Sequence, residues 1–303
     1  MKREMVWILG AGLLLAASPA FADGDPDPGA PAPAPASGGG AAAASGSWST
    51  DINDRPLVLD PGKLEIHAQL PILAFSETVP DGMGGEITDT ETFELLNLGA
   101  SYGIAPKIEV GLDYVFLLHP NGDITSGELG LHGAYAAYHT PKMDLAIAAA
   151  LNLNYFGDDT EVSLSVGAWF RYRLTPKLSL FTGQPATPYQ QDFGLGTLGV
   201  GLPTNQLYIG LNDSQPVSLS LPVGVGFQAI PQLFLFASTD IANIYFTNGP
   251  KSVDFIFADF IPIALGGYYS VTNQLDLGIT FSDDLEHAGD FYAFTFGGRY
   301  FIK

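Results

Sequence analysis

The sequence predicts an all-β fold: a transmembrane antiparallel up-and-down β-barrel of about twelve strands, with fourteen as the alternative. Three observations carry this expectation: one long hairpin of strict alternation, a regular rhythm of short turns and longer loops, and an export signal at the start. The hairpin spans residues 142–174. On its first arm Met143, Leu145, Ile147, Ala149, Leu151, Leu153 and Tyr155 fall on one side, and Lys142, Asp144, Ala146, Ala148, Ala150, Asn152 and Asn154 on the other. On its second arm Val162, Leu164, Val166, Ala168, Phe170, Tyr172 and Leu174 stand opposite Glu161, Ser163, Ser165, Gly167, Trp169, Arg171 and Arg173. Period two is the signature of a strand, whose side chains alternate between faces. Strands of globular sandwiches run about 5–6 residues, whereas a tilted strand needs about 9–11 to cross hydrocarbon. Both arms are long enough to cross.

The rhythm extends along the chain. Short turns recur at Ile104-Ala105-Pro106-Lys107, Thr140-Pro141-Lys142, Thr175-Pro176-Lys177, Ile230-Pro231-Gln232 and Val271-Thr272-Asn273-Gln274. Proline presets a turn and cannot donate to a ladder, so the prolines end one strand and start the next. Between the turns lie acidic segments rich in Gly, Asn and Asp, at 76–92, 119–125, 157–160, 183–215, 248–252 and 282–290. Short periplasmic turns and longer outer loops are the asymmetry of outer-membrane barrels. The staves expected are 63–75, 93–104, 107–118, 126–138, 142–155, 161–174, 177–183, 216–229, 233–246, 253–269, 274–281 and 291–302. The seventh is short, and Pro262 interrupts the tenth. Residues 195–211 have strand character but no room in the alternation, so they are expected in the long loop, as a hairpin or folded inward.

The export signal is residues 1–22: a basic Met1-Lys2-Arg3, an apolar stretch over 6–17, and an Ala20-Phe21-Ala22 cleavage site. Residues 23–49 are Pro-, Ala- and Gly-rich with almost nothing to bury, which predicts a disordered linker before a barrel over 50–303. The chain of 303 residues carries a formal net charge of −20, which argues against a nucleic-acid partner. It contains no cysteine, so no disulfide framework or thiolate chemistry is available. Nothing calls for a cofactor. A Gram-negative outer membrane is the expected location, with outer-membrane lipid, the barrel-assembly machinery and a small solute as expected partners.

The last stave reads DFYAFTFGGRYFIK, with Tyr292, Phe294, Phe296 and Tyr300 toward lipid and Phe301 near the end. It resembles the aromatic-rich closing strand of outer-membrane barrels, although it ends on Ile302-Lys303 instead of an aromatic. The stretches DRPLVLDPGKLEIHAQLPI and LGASYGIAPKIEVGLDYVF resemble the openings of the outer-membrane proteins of the meta-pathway of phenol degradation. That resemblance implies passage of hydrophobic or aromatic solutes.

Following the pleat, Glu65, His67, Glu109, Asp113, Glu128, His132, Asp144, Arg171, Arg173, Asp276 and Arg299 point inward and are the expected pore-lining residues; Gln69, Lys142, Glu161 and Lys177 share their side. A charged inner wall sets ion preference in a water-filled pore. The competing reading is a narrow barrel plugged by its own pairs, such as Arg171 or Arg299 against Asp113 or Asp276. Small inward residues, among them Ala146, Ala148, Ala150, Gly99, Gly111, Gly130, Gly278 and Gly297, favour open space. On this assignment Leu151→Arg puts charge into hydrocarbon, while Ala148→Arg is expected to be tolerated and to alter only permeation.

No metal site is expected. The weak candidates are Asp158 with Asp159 and Asp283 with Asp284 and Glu286, acidic clusters on the outer loops without EF-hand spacing. The histidines His67, His119, His132, His139 and His287 are scattered, with no HExxH and no GxSxG. His139 alone is expected toward lipid, and no serine with a third partner aligns with it, so an enzyme is not expected. Tyr155, Phe170, Tyr172, Tyr114, Phe116, Tyr268, Tyr269 and Phe281 are expected in the aromatic girdles. Phe234, Phe236, Phe255 and Phe257 break the alternation and are expected outward, as lipid contacts, with an inward turn that would suit an apolar or aromatic solute as the alternative.

The expected function is a channel for passive transport of small solutes, cation-biased by its acidic mouth or specialised for aromatic ones. A closed structural or interaction barrel, engaging a partner through residues 183–215, is the alternative. An outer-membrane hydrolase is the third.

Overall fold

A computed structural model of the chain describes residues 48–80, 86–119, 127–154, 161–182, 206–210, 217–246, 253–255, 262–284 and 291–302. The expected signal peptide, the linker up to residue 47, Asp158, Asp159, Glu286 and much of the outer loops lie outside those residues.

One turn of 3-10 helix, Ile52–Asp54, precedes the strands. The strands are β1 (Leu64–Pro80), β2 (Glu86–Ala105), β3 (Ile108–His119), β4 (Gly127–His139), β5 (Met143–Asn154), β6 (Glu161–Arg173) and β7 (Leu178–Thr182). They continue as β8 (Gln206–Gly210), β9 (Val217–Ile230), β10 (Leu233–Phe246), β11 (Val253–Phe255), β12 (Pro262–Ser270), β13 (Leu275–Asp284) and β14 (Phe291–Ile302).

All the pairings are antiparallel, and the first and last strands join from Leu64↔Ile302 to Phe75↔Phe291. The pairing of β9 with β10 shuts the remaining gap and closes the ring. Two staves are each built from two strands. Along β6, β7 covers Phe170 to Arg173 and β8 covers Ser163 to Gly167, so the two strands lie end to end on one line. Along β10, β11 covers Ile244 to Phe246 and β12 covers Leu233 to Thr239. Fourteen strands therefore fill twelve staves, closing a twelve-stave antiparallel barrel.

Two expectations about loops are corrected. Residues 206–210 are not loop but the upper half of the seventh stave, because β7 alone is too short to span the wall. The acidic stretch 76–92 is largely ladder: β1 and β2 pair onward through Ser76↔Thr90 and Thr78↔Thr88 to Pro80↔Glu86. Pro262 opens β12, a first-residue position where a missing N–H is tolerated.

The outward face is apolar. Leu98, Leu112, Leu131, Leu151, Ile279 and Phe296 are all exposed although large and hydrophobic. Tyr102, Tyr135, Tyr138, Tyr269 and Tyr300 ring the short-turn end of that face, where amphipathic tyrosines meet headgroups. No helix among the described residues is long and apolar enough to cross a membrane.

Candidate functional site

The inside of the ring is where the sequence concentrates its polar chemistry, and it is occupied. Residues 48–62 turn into the lumen at the short-turn end before the chain enters β1. The 3-10 turn within them is capped by the Asp51 carboxylate, which accepts from the Asn53 N–H at 2.9 Å. At Gly62, with φ +80°, the chain reverses, and the Gly62 N–H donates to the Gly103 carbonyl at 2.8 Å. Burial of Asp51 and the nearby Asp54 carboxylate push the Asp51 carboxyl above its ordinary range.

Side chains from several strands hold this segment. Arg171 donates to the carbonyls of Ile52, at 2.8 Å, and of Arg55. Arg173 Nε donates to the Asn53 carbonyl at 2.6 Å, and Ser179 Oγ to Asn53 Oδ1 at 2.9 Å. Gln228 Oε1 accepts from the Ile52 N–H at 3.1 Å, and Glu109 Oε2 from the Leu59 N–H at 2.7 Å. In return Arg55 donates to both Asp276 oxygens, the Oδ1 contact at 2.9 Å, and to Ser270 Oγ at 3.0 Å. Its guanidinium lies 5.4 Å over the Phe301 ring, which also packs against Trp48 at a tilt of 37° with centroids 4.7 Å apart.

Three charge groups line the wall. On β13 and β14, Arg299 Nε donates to Asp276 Oδ2 at 3.0 Å, so Asp276 bridges a wall arginine and the segment's Arg55. The two terminal nitrogens of Arg299 are buried without an acceptor, and the residue lines a narrow recess with Gln69, Thr280 and Thr295. On β5 and β6, Asp144 Oδ2 accepts from Arg171 at 2.9 Å and pairs with Arg173 at 2.6 Å.

The third group runs across β1 to β4. His67 Nε2 meets Asp113 Oδ1 at 2.6 Å, and His132 Nδ1 meets Asp113 Oδ2 at 2.8 Å. His132 Nε2 then meets Ser101 Oγ at 3.1 Å. On the other side of the His67 ring, Nδ1 stands 3.3 Å from Glu65 Oε1. Ser101, His132 and Asp113 thus share the atom order of a nucleophile relay. Ser101 is fully buried and Asp113 is divided between two imidazoles, so in this structure the chain of bonds braces the wall.

The opposite wall is apolar. Phe181, Phe234, Phe236, Ala264 and Tyr268 form one buried cluster with Ile52 of the inserted segment. Phe234 and Phe236 were expected outward; the pleat of β10 turns Leu235 out and both rings in. The hydrophobic pattern was ambiguous there because both faces of β10 are apolar. Tyr268 likewise points inward, beneath Arg299, and only Tyr269 joins the girdle. Phe255 and Phe257 have no described side chains.

The small inward residues do not leave the space expected of them. A methyl group at Gly99 would strike the His67 ring and the Asp113 carboxylate, at Gly111 the His132 ring, at Gly266 the Phe236 ring, and at Gly278 the Tyr268 ring. Each of these glycines is a seat on which a large inward side chain lies flat. Ala146, Ala148 and Ala150 are covered in the same way, in a cluster with Trp169 and with Leu57 and Val58 of the segment.

Of the expected pore-lining residues, Glu65, His67, Glu109, Asp113, Glu128, His132, Asp144, Arg171, Asp276 and Arg299 are inward and buried, and Arg173 is half-buried. Glu65, Glu109, Glu128 and Asp276 are 0% exposed, so water does not reach them in this structure. Lys142 and Lys177 sit exposed at the turns. Of the expected pairs Arg299–Asp276 forms, but Arg171 takes Asp144 because Asp113 is engaged by the histidines. His139 does not face lipid alone; its Nδ1 reaches Asp144 Oδ1 at 2.5 Å. Asp283 is half-buried and Asp284 has no described side chain. No group of three His, Cys, Asp or Glu side chains is arranged to hold a metal ion among the described residues. Sequence reasoning missed Arg55, Ser179, Gln228 and Ser270. A lone arginine in a proline-containing stretch just before the first stave was the one available signal.

A closed antiparallel ring with an apolar, tyrosine-edged outer belt and a charged interior has one natural solvent arrangement, lipid outside and polar groups within. The molecule is an outer-membrane β-barrel. No family model matches the chain, and no curated protein matches it, so the resemblance to the phenol meta-pathway family is not shown. Among solved structures it is similar to the KdgM porin in complex with disordered oligogalacturonate, at 7% identity and TM-score 0.46, covering 78% of this chain and 98% of that one. It is also similar to the translocator domain of the autotransporter NalP from Neisseria meningitidis, at 10% identity and TM-score 0.44, covering 80% and 90%. Similarity to Omp33 of Acinetobacter baumannii stands at 11% identity and TM-score 0.41, covering 79% and 98%.

Proposed function

We propose that this barrel is a channel for passive transport of small solutes across the outer membrane, closed in this structure by residues 48–62. The observation that carries the reading is that the closing groups belong to a segment outside the ring, held by side-chain contacts to a charged wall. A barrel built only to be structural gains nothing from that wall, because burying ions costs several kcal/mol each and well-packed apolar residues serve as well or better. Buried acids and arginines make sense if water enters when the segment leaves.

With the segment out, Glu65, Glu109, Asp113, Glu128, Asp144 and Asp276 would stand against Arg171, Arg173 and Arg299. That balance is net acidic, which supports a preference for cations or neutral solutes over anions. The half-wall of Phe181, Phe234, Phe236 and Tyr268 supports a finer reading, a solute with an aromatic or hydrophobic part that lies against it.

The test is conductance of the refolded chain in a planar bilayer under a salt gradient, wild type beside Arg55→Ala. Rare or small openings in wild type and frequent, cation-selective steps in the variant are expected. A folded variant that stays silent, or one selective for anions, would overturn the proposal.

A further inference from the structure

We infer that the short-turn half of the lumen is a receptor site for a short, arginine-bearing peptide carrying one 3-10 turn, occupied here by the chain's own residues 50–59. The wall recognises the segment mainly through its backbone. Arg171 and Arg173 take three of its carbonyls, Ser270 Oγ donates to the Thr50 carbonyl at 3.1 Å, and Gln228 and Glu109 accept two of its amides. Contacts of this kind read main chain and tolerate many sequences. Of its side chains Arg55 is held most tightly, only 2% exposed with its guanidinium on both oxygens of Asp276, while Asn53 meets Ser179 and Ile52 enters the Phe181 cluster. A planar fork on a carboxylate is a strong and geometrically specific pairing.

The segment forms no part of the strand ladder between residues 50 and 59; its register partners are wall side chains, not a neighbouring strand. It is therefore docked as a ligand is docked, and its attachment to β1 keeps its effective concentration high. A peptide supplied from outside must compete with it. The inference names what regulates the proposed channel, but it concerns binding and is read without flux.

The probe is a fluorescein-labelled synthetic peptide with the sequence of residues 48–60, titrated by anisotropy against the full-length Arg55→Ala chain refolded in detergent. Saturable binding is expected, at least about tenfold weaker for the same peptide with alanine in place of its arginine. Adding Asp276→Asn to the chain should weaken binding to the same degree. No saturable binding to folded Arg55→Ala protein, or equal binding of both peptides, would overturn the inference.

A second measurement serves if Arg55→Ala does not fold. The chain has no cysteine, and Asn53 Oδ1 meets Ser179 Oγ at 2.9 Å, so Asn53→Cys with Ser179→Cys, joined by a short bis-methanethiosulfonate cross-linker, can lock the segment in place. At high peptide concentration the locked chain should bind none, and reductant should restore binding; equal binding in both states would sink the idea. Peptide binding without any conductance change would count against the channel alone, and conductance without peptide binding against this inference alone.

Discussion

Asp276 ties the inserted segment to the wall, because two guanidiniums converge on it from different parts of the chain. Asp276→Ala leaves Arg55 and Arg299 buried without their counter-charge, and removing one partner of a buried pair costs about 3–5 kcal/mol. Urea titration in lipid should show that loss, whereas Arg55→Ala should unfold close to wild type because Asp276 keeps Arg299. Gly266 is decisive in a different way. A methyl group there meets the Phe236 ring and stands 2.7 Å from the Ile279 carbonyl, so Gly266→Ala should cost roughly 1–3 kcal/mol in the same titration. Asp51 predicts a pH dependence. Its carboxyl is raised in the docked segment, so the protonated form is the one docking favours. The stabilisation is complete below the undocked pKa and is lost as pH rises through the docked value. Asp51→Asn keeps the capping oxygen without the charge, and should therefore open less often than wild type at pH 7 while converging with it in acid.

At the scale of the strand, alternation separates two environments within one hairpin. Leu151 is 37% exposed on the outer face of β5, and Leu151→Arg should lower stability in lipid by about 2–4 kcal/mol. Ala148, on the inner face, is not the permissive site its small size suggested. It is 1% exposed under Trp169, Leu57 and Val58, so an arginine there has no room while the segment is docked. Ala148→Arg should leave the ring folded in lipid but expose residues 48–62 to added protease, a difference that limited proteolysis of the two variants reads directly. Were both variants equally harmful to insertion, the assignment of faces would be wrong.

For the whole molecule, the ring and the segment are two cooperative parts with different jobs. The ring satisfies every stave by pairing on both sides, so it persists in lipid whether or not the lumen is filled. The segment closes it through side-chain hydrogen bonds, the Arg55–Asp276 pair and three apolar clusters, none of which belongs to the ladder. A chain locked by Asn53→Cys and Ser179→Cys should show no openings in a planar bilayer, and reductant should return wild-type behaviour.

Much of the fold was legible in the sequence because β-barrel signals are local: period two sets the face, and turn prolines set the ends. The twelve staves, the inward charges and the outward belt follow from those signals alone. What only the tertiary structure decided lies inside the ring. Arg55 meets Asp276 across 221 positions of chain and Asn53 meets Ser179 across 126, distances over which no periodicity speaks. Phe234 and Phe236 turned inward because a lumen wall packed against Ile52 and seated on glycines is as apolar as lipid, so hydrophobicity could not tell the two faces of β10 apart. The same cause misled the reading of Ala148 and the glycines: a small residue marks where a larger neighbour lies, and which neighbour arrives is settled only when the ring closes.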